Sequence, residues 1–448
     1  MADTDVRIKD VAFSYEDFRY RTPIKFGGVA LDKVTLLNVT MTVETVGGTV
    51  ARGFGSMPLG NVWAWPSKEL GYADTLAGMK QVAVACRGMY TDYRTADHPI
   101  AIGSQLEHTV AGDPDTLTRS LNLPGVIPRL AILVVTSAFD AALHDAYGKA
   151  HGVNCYHTYG PPFYTDDLSV DLGPEFKGER LEQYISKEPR ASLPLYHLVG
   201  ALDPLTPAEV KEPVGDGQPE HLGEWITCDG LTHLKIKLNG DDAGWDVARV
   251  VGVNRVASDT APERAFQFSL DFNERCRNVE YLLEVLHRIR EQSPAAFDRI
   301  QYVEQPTARD LKANPANRMH EAAKLKPVVI DESLLDLETL QQARDLGYTG
   351  VAFKACKGQT QSLLLAAAAQ KYGLFRCVQD LTCPGASLIH SAGLAAHIPG
   401  VAAIEANSRQ YCPAANAGWD ERFPGVFTIR NGRMNTGLLT GPGLGAME

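Results

Sequence analysis

The chain has 448 residues, of which 44% are hydrophobic and 22% are charged, and its net charge at pH 7 is −11. This length exceeds that of one small domain and indicates a barrel-sized domain together with a second domain. The acidic balance and the lack of any basic block exclude nucleic-acid binding, which requires clustered lysine and arginine.

The sequence predicts neither a secreted nor a membrane-spanning protein. We find no apolar run that we expect to span a bilayer, and the N-terminus, MADTDVRIKD, lacks the apolar core of a signal peptide. Eight cysteines are scattered along the chain without a CxxC pair, which is typical of reduced thiols. These features together predict a cytoplasmic protein.

The N-terminal third of the chain predicts an antiparallel meander followed by helices. Residues 6–56 alternate apolar and polar side chains, and Gly47-Gly48 supplies the positive φ angles of a tight turn between two of the runs. Residues 68–160 are predicted to be largely helical, most clearly over 130–149, where apolar residues recur at helical spacing. This part of the chain therefore predicts an α+β domain.

Two segments rich in Gly and Pro lie within and after this meander. The first, 21–28, carries Lys25 and Phe26, and the second, 53–65, carries Trp63. Two interpretations are open for both segments. They are either loops that face a substrate or loops whose aromatic side chains anchor them on the core.

From about residue 165 onwards the pattern changes to short apolar runs separated by helical stretches. The candidate strands are 193–199, 234–237, 265–270, 299–303, 327–330, 350–353, 374–378 and 401–404. Helices are predicted between them, for example over 281–291, 337–346 and 361–372. Eight alternating units predict a closed parallel (β/α) barrel rather than an open sheet.

These patterns divide the chain into three parts. Residues 1–165 are predicted to form the α+β domain, and residues 166–407 are predicted to form the barrel. The irregular tail, 408–448, is predicted to return to the first domain.

Five charged residues end consecutive candidate strands of the barrel. They are Lys237, Asp271, Glu304, Asp331 and Lys354. The intervals between them are 34, 33, 27 and 23 positions, about the length of a strand, a loop, a helix and a return loop. Residues that end consecutive strands of a parallel barrel converge on one face, where the chemistry of such barrels occurs. We therefore expect one shared site.

The acids of this set predict a metal site. Asp271, Glu304 and Asp331 are hard oxygen donors without a nearby Cys or His, which favours Mg²⁺, or Mn²⁺, over Zn²⁺. Asn273 and Glu332 would hold these ligands in place. The alternative for each acid is a helix cap or an ion pair with a lysine. Three acids on adjacent strand ends, with lysines on both sides, favour the metal site.

The lysines of the set, Lys237 and Lys354, together with Lys235, predict acid/base chemistry. Lys237 and Lys354 would face each other across the barrel mouth, and a free lysine, with a pKa of about 10.4, is protonated at neutral pH. Burial, a divalent cation and the adjacent Lys235 would each lower that pKa. A neutral amine could then remove the proton α to a carboxylate, with the cation stabilising the ene-diolate. Ion pairing with the acids is the alternative, and both roles can coexist.

The motifs resemble those of the enolase superfamily, in its mandelate racemase and muconate-lactonising branch. The resemblance covers nearly the whole chain. It rests on Lys235-Ile-Lys237, Asp271-Phe-Asn273, Glu304-Gln-Pro306, Asp331-Glu332-Ser333 and Lys354, together with residues 138–149 and the Gly-rich 442–445.

This resemblance implies an α/β fold, a modified TIM (β/α) barrel with an N-terminal α+β capping domain. The segments around 22–28 and 53–65 would close over the barrel and choose the substrate. The resemblance also implies Mg²⁺ on the three acids, and Lys237 and Lys354 as acid/base residues on opposite faces of a small-molecule carboxylate. By family analogy we also expect a homo-oligomer.

Within the family, the two-lysine arrangement fits this chain best. Racemases and sugar-acid dehydratases often have a His at the end of strand seven, where this chain has Asp380 nearby. Dipeptide epimerases carry Asp-x-Asp on strand eight, where this chain has Glu405-Ala-Asn407, which weakens that assignment. The resemblance implies an isomerase acting as a racemase or epimerase. The alternatives are a lyase (acid-sugar dehydratase, syn-elimination or cycloisomerisation) and a metal-binding barrel without turnover.

Further residues are candidate substrate contacts. They are Lys25, Phe26 and Trp63 in the capping segments, with Asp380 and Asn407 after strands seven and eight. The chain also departs from the family pattern after Lys354, where Ala355-Cys-Lys357-Gly-Gln replaces the usual Gly-Gly ending. Finally, 211–230 is a long insertion between the first two barrel strands, which we expect to reshape one wall of the site.

Overall fold

The computed structural model describes residues 2–26 and 29–445, and of Phe26 it describes the backbone alone. Gly27, Gly28 and the Phe26 side chain, which the sequence assigns to the first capping segment, lie outside the described residues. Within the described residues, the N-terminal domain contains a three-stranded antiparallel sheet in the order β1-β2-β3. Its strands are β1 (Val6–Phe26), β2 (Val29–Thr45) and β3 (Val50–Pro58).

Six helices follow this sheet in the described part of the chain, and two of them, the second and the fifth, pack on it. They are α1 (Asn61–Ala64), α2 (Tyr72–Asp92), α3 (Pro99–Ala111), α4 (Pro114–Ser120), α5 (Arg129–Ala150) and α6 (Ser169–Leu172). Although the sequence suggests no membrane span, α5 is long and apolar enough to cross a membrane by length and composition. Its apolar window is entirely buried inside the protein, which is the behaviour of a core helix.

Strand β3 lies directly against α5 because two of its residues lack a side chain. A Cβ atom on Gly53 would lie 2.2 Å from the carbonyl oxygen of Ala142, and one on Gly55 would lie 2.1 Å from that of Ala138. The prediction of a loop over 53–65 is therefore wrong for residues 53–58. The glycines there permit close packing of strand on helix rather than a turn. Likewise, Thr22–Phe26 belong to β1 and not to a loop.

The second domain is a closed barrel. Its strands are β4 (Ser192–Val199), β5 (His233–Lys237), β6 (Gln267–Asp271), β7 (Ile300–Glu304), β8 (Val328–Ile330), β9 (Gly350–Lys354), β10 (Phe375–Gln379) and β11 (Ile404–Glu405). Neighbouring strands are parallel, and β11 pairs with β4, which closes the sheet. The eight strands predicted from apolar runs are thus all present among the described residues. The predicted fold class, a modified TIM barrel with an N-terminal α+β cap, is confirmed.

The barrel helices alternate with these strands on the outside. They are α7 (Leu222–Asp229), α8 (Ala243–Thr260), α9 (Val279–Gln292), α10 (Pro294–Arg299), α11 (His320–Leu325), α12 (Leu337–Asp345), α13 (Gln359–Lys371) and α14 (Ala386–His397). Several begin at a capping side chain; Asp242 and Asp336, for example, accept hydrogen bonds from the first backbone N–H groups of α8 and α12. The three predicted helices correspond to α9, α12 and α13.

The C-terminal segment contacts both domains. It contains α15 (Ser408–Tyr411), α16 (Trp419–Arg422), α17 (Pro424–Phe427) and β12 (Arg433–Asn435). Strand β12 pairs with the barrel strand β4, whereas the N–H of Leu444 donates to Asp145 on α5. The segment thus ties the capping domain to the barrel.

The insertion 211–230 contacts the capping strand β1. The guanidinium of Arg21 donates two hydrogen bonds to the Asp216 carboxylate, at 2.6 and 2.9 Å. A cavity of about 500 Å³ lies between this insertion, β1 and the end of β4. The insertion therefore forms one wall of a cavity on the side of the barrel that carries the strand ends.

Candidate active site

The charged residues predicted from strand spacing lie together at one end of the barrel. Lys237, Asp271, Glu304 and Lys354 are the last residues of β5, β6, β7 and β9, and Asp331 directly follows β8. The strand register places Lys237 beside Asp271, and Asp271 beside Glu304. All five residues are at most 5% exposed, so their charges interact in a medium that screens them weakly.

Lys235 is the centre of the hydrogen-bond network. Its ammonium donates to Glu304 at 3.0 Å, to Gln379 at 3.0 Å and to Glu405 at 2.9 Å. It also lies 3.1 Å from Asp271. Since an ammonium has three N–H groups, these contacts use all of its donors. In this structure Lys235 neutralises and orients the acids, and its predicted place among the acid/base lysines stays a prediction.

Lys237 and Lys354 occupy strands on opposite sides of the barrel, β5 and β9. The Lys237 ammonium lies 2.5 Å from Asp271 and 3.1 Å from the amide oxygen of Asn273. The Lys354 ammonium lies 2.9 Å from Asp331. The ion pairs that the sequence left as the alternative are thus formed in this structure, on both sides of the site.

These ion pairs determine whether the pKa of a buried lysine is raised or lowered. Burial lowers the pKa of Lys354, but the carboxylates of Asp331, Glu304 and Glu405 together more than offset it, so the net pKa lies above that of a free lysine. The pKa of Lys235 is likewise raised, against burial, by Glu304 and Glu405. In this arrangement the pKa of Lys354 is therefore raised rather than lowered, because the acids expected to bind a cation pair with the ammoniums instead.

The three acids carry the donor atoms of a site for a hard cation. Burial raises the pKa of Glu304 well above its usual range, and the nearby Asp271 raises it further. The Oδ2 atom of Asp331 is buried and accepts no hydrogen bond, although Lys354 lies beside it. Crowded, buried carboxylates of this kind suit Mg²⁺ or Mn²⁺.

The arrangement of these acids is nevertheless set by the lysines. In the described part of the chain, no three His, Cys, Asp or Glu side chains are grouped as ligands around one point. The donor chemistry thus fits a divalent cation, while lysine ammoniums lie beside the donor oxygens. The ligand roles of Asp271, Glu304 and Asp331 stay a prediction.

Lys357 is a member of the site to which the sequence assigned no role. It ends a one-turn 3₁₀ helix, Ala355–Lys357, that follows β9 directly. Its buried ammonium lies 3.1 Å from the Asp331 carboxylate and also donates to the Asp331 carbonyl oxygen. The signal in the sequence was a second lysine three positions after Lys354, a spacing that one helical turn brings to the same side. The sequence likewise gave no indication that Glu405 and Gln379 accept hydrogen bonds from Lys235.

Trp63 brings the capping domain into this site. Its indole N–H donates to the Glu332 carboxylate at 2.9 Å, and its carbonyl oxygen accepts a hydrogen bond from Arg309 at 3.0 Å. The centre of its ring lies 4.5 Å from the Lys354 ammonium. The structure agrees with the second interpretation of this segment, in which an aromatic side chain anchors it on the core. Trp63 is buried, and its ring also covers Lys354.

The remaining predicted contacts surround the cluster at different distances. The Asp380 carbonyl oxygen lies 3.4 Å from the Lys354 ammonium, and the Asp380 carboxylate accepts a hydrogen bond from the backbone N–H of Asn407. Burial, followed by the charge of Glu405, raises the pKa of Asp380 to about 7. Lys25 reaches the site from β1 and donates to Asn239, two positions after Lys237.

The backbone is strained directly after several of these strand ends. Residues other than glycine adopt positive φ angles at Asn273 (44°), Glu274 (65°), Gln305 (27°) and Thr382 (55°). Such conformations cost on the order of 1–3 kcal/mol each and are concentrated at functional sites. The strain supports the interpretation of this end of the barrel as the active site.

The fold and the site define a (β/α)-barrel protein with acids and lysines on its strand ends and a capping domain above them. Residues 220–447 match the family model described as enolase C-terminal domain-like, which is half of the chain. The chain therefore belongs to the enolase superfamily, in its mandelate racemase and muconate-lactonising branch. A comparison with curated proteins returns no match.

Several solved structures share the fold over the whole chain. A dipeptide epimerase from Enterococcus faecalis, complexed with Mg and L-Leu-L-Tyr, is 15% identical, with a TM-score of 0.65 over 99% of this chain and 100% of that one. The L-Ala-D/L-Glu epimerase of Bacillus subtilis is 17% identical, with a TM-score of 0.63 over 98% of each chain. A muconate lactonizing enzyme from Pseudomonas fluorescens is 16% identical, with a TM-score of 0.63 over 99% and 97%. At these identities the likeness concerns the fold.

Proposed function

We propose that the protein is a Mg²⁺-dependent enzyme that removes the proton α to the carboxylate of a small-molecule substrate, through an ene-diolate, and acts as a racemase or epimerase. One observation carries this proposal: two buried lysines, Lys237 and Lys354, lie on opposite strands of the barrel and each lies next to an acid. An enzyme that inverts a carbon centre needs an acid/base group on each face of the substrate.

Asp271, Glu304 and Asp331 are the residues that would hold the cation. When bound, Mg²⁺ supplies the positive charge that stabilises an ene-diolate. The Lys235 ammonium would orient Glu304 and Asp271 and favour their charged forms, opposing the effect of burial on Glu304.

The lysines would exchange the substrate proton. A neutral Lys237 would accept the α-proton on one face, and a protonated Lys354 would deliver one to the opposite face. In the reverse direction the two residues exchange roles. The Asp331 carboxylate raises the pKa of Lys354, so this residue is held in its protonated form. Trp63, above the Lys354 ammonium, would exclude water from that face.

The test is proton exchange in D₂O with Mg²⁺ and single enantiomers of candidate carboxylates. We expect deuterium at the α-carbon with the native enzyme, accompanied by loss of optical purity. Lys237→Met and Lys354→Met should each abolish racemisation, and chelation of the metal should abolish exchange. Lys312→Met, which removes an exposed ion pair on the outside of the barrel, is the matched control and should leave exchange unchanged.

The outcomes separate the alternatives. Deuterium incorporation with inversion supports the proposal. An unsaturated or cyclised product without racemisation would instead identify a lyase or cycloisomerase. Binding of carboxylates without exchange in any of them would contradict the proposal in favour of a barrel without turnover.

A further inference from the structure

The cavity beneath the insertion 211–230 is large enough to hold a small molecule. It lies between this insertion, the capping strand β1 and the end of the first barrel strand, β4, and its volume is about 500 Å³. None of the five charged residues that end the barrel strands lines it. Its lining is therefore distinct from the proposed active site, and the proposed reaction gives it no role.

An apolar cluster lies where the cavity approaches the barrel mouth. Ile24 of β1, Leu198 of β4 and Tyr411 of α15 pack together there, and all three are buried. Leu198 and Tyr411 also line the cavity. The strand register places Leu198 beside Lys235, at the level of the active-site network. On this side, a ligand in the cavity would therefore meet apolar side chains and not the charged network.

The barrel side of the cavity is apolar and aromatic. Leu198, Leu222 and Trp225 line it and are buried, so packing holds them in place. Leu202 lines it as well, but is 53% exposed and so lies at the edge of the cavity. Rigid apolar walls favour an apolar ligand group, because little side-chain entropy is lost when such a group binds.

The charged side chains that line the cavity are mostly acids. Two cations, Arg21 and Lys211, face four carboxylates, those of Asp203, Glu209, Glu212 and Glu220. The Arg21 guanidinium is already bonded twice to Asp216, which does not line the cavity. His197 adds no positive charge, because burial and then the charge of Arg409 lower its pKa well below the usual range. The cavity therefore carries an excess of negative charge.

Asp203 offers a carboxylate oxygen that has no partner within the described residues. Its Oδ2 atom accepts hydrogen bonds from the Tyr411 hydroxyl and from the backbone N–H of Gly200, whereas its Oδ1 atom accepts none there. In the same part of the chain Asp203 forms no ion pair, and burial raises its pKa in spite of the two hydrogen bonds. An ammonium beside Oδ1 would supply a charge-assisted hydrogen bond and a counter-charge.

We propose that this cavity is a second ligand site, separate from the active site, and that it binds a small organic cation. The ligand class is an ammonium group carried by an apolar or aromatic body. The ammonium would lie at Asp203, and the body would lie against Leu222 and Trp225. This inference goes beyond the proposed function and does not depend on it, because binding here requires no proton exchange at Lys237 or Lys354.

Three ligands of similar shape and different charge test the inference with the full-length native protein. They are 2-phenylethylamine, 2-phenylethanol and 3-phenylpropionate, compared by calorimetric titration at neutral pH. We expect one amine to bind per chain, at least tenfold more tightly than the alcohol or the acid, and its Kd to rise with salt. Equal binding of the three, preference for the acid, or no saturable amine binding in the millimolar range would overturn the inference.

A positive charge placed at the edge of the cavity locates the bound amine. Leu202→Lys should weaken amine binding at least tenfold, because it repels the cation and removes an apolar contact. Leu438→Lys is the matched control, since Leu438 is 65% exposed and does not line the cavity, and it should leave the Kd unchanged. Both variants should melt as cooperatively as the native protein. An unchanged Kd in a folded Leu202→Lys variant would place the amine elsewhere and overturn the inference.

Asp203→Asn tests the carboxylate itself. The asparagine amide keeps an acceptor oxygen for Tyr411 and Gly200 but carries no charge. We expect amine binding to weaken at least tenfold while the Kd of the alcohol stays the same. A purely structural role of Asp203 would weaken both ligands alike, and that result, or an unchanged Kd of the amine, would contradict the inference.

The proposed function and this inference can fail separately. Exchange of an α-proton without any amine binding would leave the proposed function standing and overturn the second site. Amine binding that is lost in Leu202→Lys, in a protein that exchanges no α-proton, would support the second site and contradict the proposed function.

Discussion

The Trp63 indole of the capping domain lies over the Lys354 ammonium of the barrel, with 4.5 Å between the nitrogen and the ring centre. A cation over an aromatic face is stabilised by about 0.5–2 kcal/mol, and more strongly when water is excluded. The same ring donates its N–H to Glu332, which follows Asp331 in the chain. One side chain of the cap therefore contacts the acid/base group and the strand end that carries a predicted metal ligand.

This contact predicts the effect of two substitutions at Trp63. Trp63→Phe keeps a ring but leaves the buried Glu332 carboxylate without its donor, which costs about 1–3 kcal/mol. We expect α-proton exchange to fall about tenfold, and further in Trp63→Ala, where the ring is lost as well. Trp245→Phe on the outer helix α8 is the control and should have no effect. Native rates in Trp63→Phe would show that the Glu332 contact does not serve the reaction.

Lys357 predicts a change in metal affinity. Its ammonium binds the Asp331 carboxylate and carbonyl oxygen, and so orients a predicted ligand. Loss of such a supporting group typically weakens metal binding 10–100-fold. Lys357→Met should therefore raise the Kd for Mg²⁺ by about tenfold or more in calorimetric titration, whereas Lys312→Met should not change it. An unchanged Kd in Lys357→Met would contradict the orienting role.

Two glycine substitutions should have opposite effects on stability. Gly55→Ala places a methyl group 2.1 Å from the Ala138 carbonyl oxygen, and overpacking of this kind typically costs about 1–3 kcal/mol. Gly88→Ala in the interior of α2 meets nothing within 4 Å and should stabilise the protein by about 0.5–1 kcal/mol. Chemical denaturation measures both. A stable Gly55→Ala variant would show that β3 can move away from α5.

Glu107 predicts a pH dependence of stability. Burial raises its pKa to about 8 in the folded protein, although Arg129, at 3.6 Å, opposes that rise. In an unfolded chain a glutamate has a pKa of about 4.3. The folded state therefore binds this proton more tightly than the unfolded state does. The resulting stabilisation of the folded protein is complete below about pH 4 and is lost as the pH rises through about 8.

Glu107→Gln removes that proton equilibrium. The difference in Tm between Glu107→Gln and the native protein should shift in favour of the variant between pH 5 and pH 8, by about 1 °C for each kcal/mol involved. Glu69→Gln, at an exposed position, serves as the control and should give a constant difference. A constant or opposite trend for Glu107→Gln would contradict the raised pKa.

Most of the architecture could be predicted from the sequence because its signals are local. Each barrel strand is a short apolar run, and the helices are periodic stretches, several of which begin at a capping residue such as Asp242 or Asp336. The spacing of Lys237, Asp271 and Glu304 placed these residues on consecutive strand ends, and the register confirms that they are neighbours. The sequence predicted a loop over 53–58 because a glycine that permits close packing cannot be distinguished, in a sequence, from a glycine in a turn.

By itself, then, the sequence determined the closed barrel, its capping domain and the set of acids and lysines that share one end of it. Only the tertiary structure decided which of the charged side chains contact each other and which contact other groups. It paired Lys235 with Glu405, 170 positions away, and Trp63 with Glu332, 269 positions away. Hydrophobic periodicity depends on residues that are close together in the sequence. The energy of a buried charge, in contrast, depends on every group that folding brings within a few ångströms of it. For that reason the direction of the pKa shift at Lys354 could not be read from the chain.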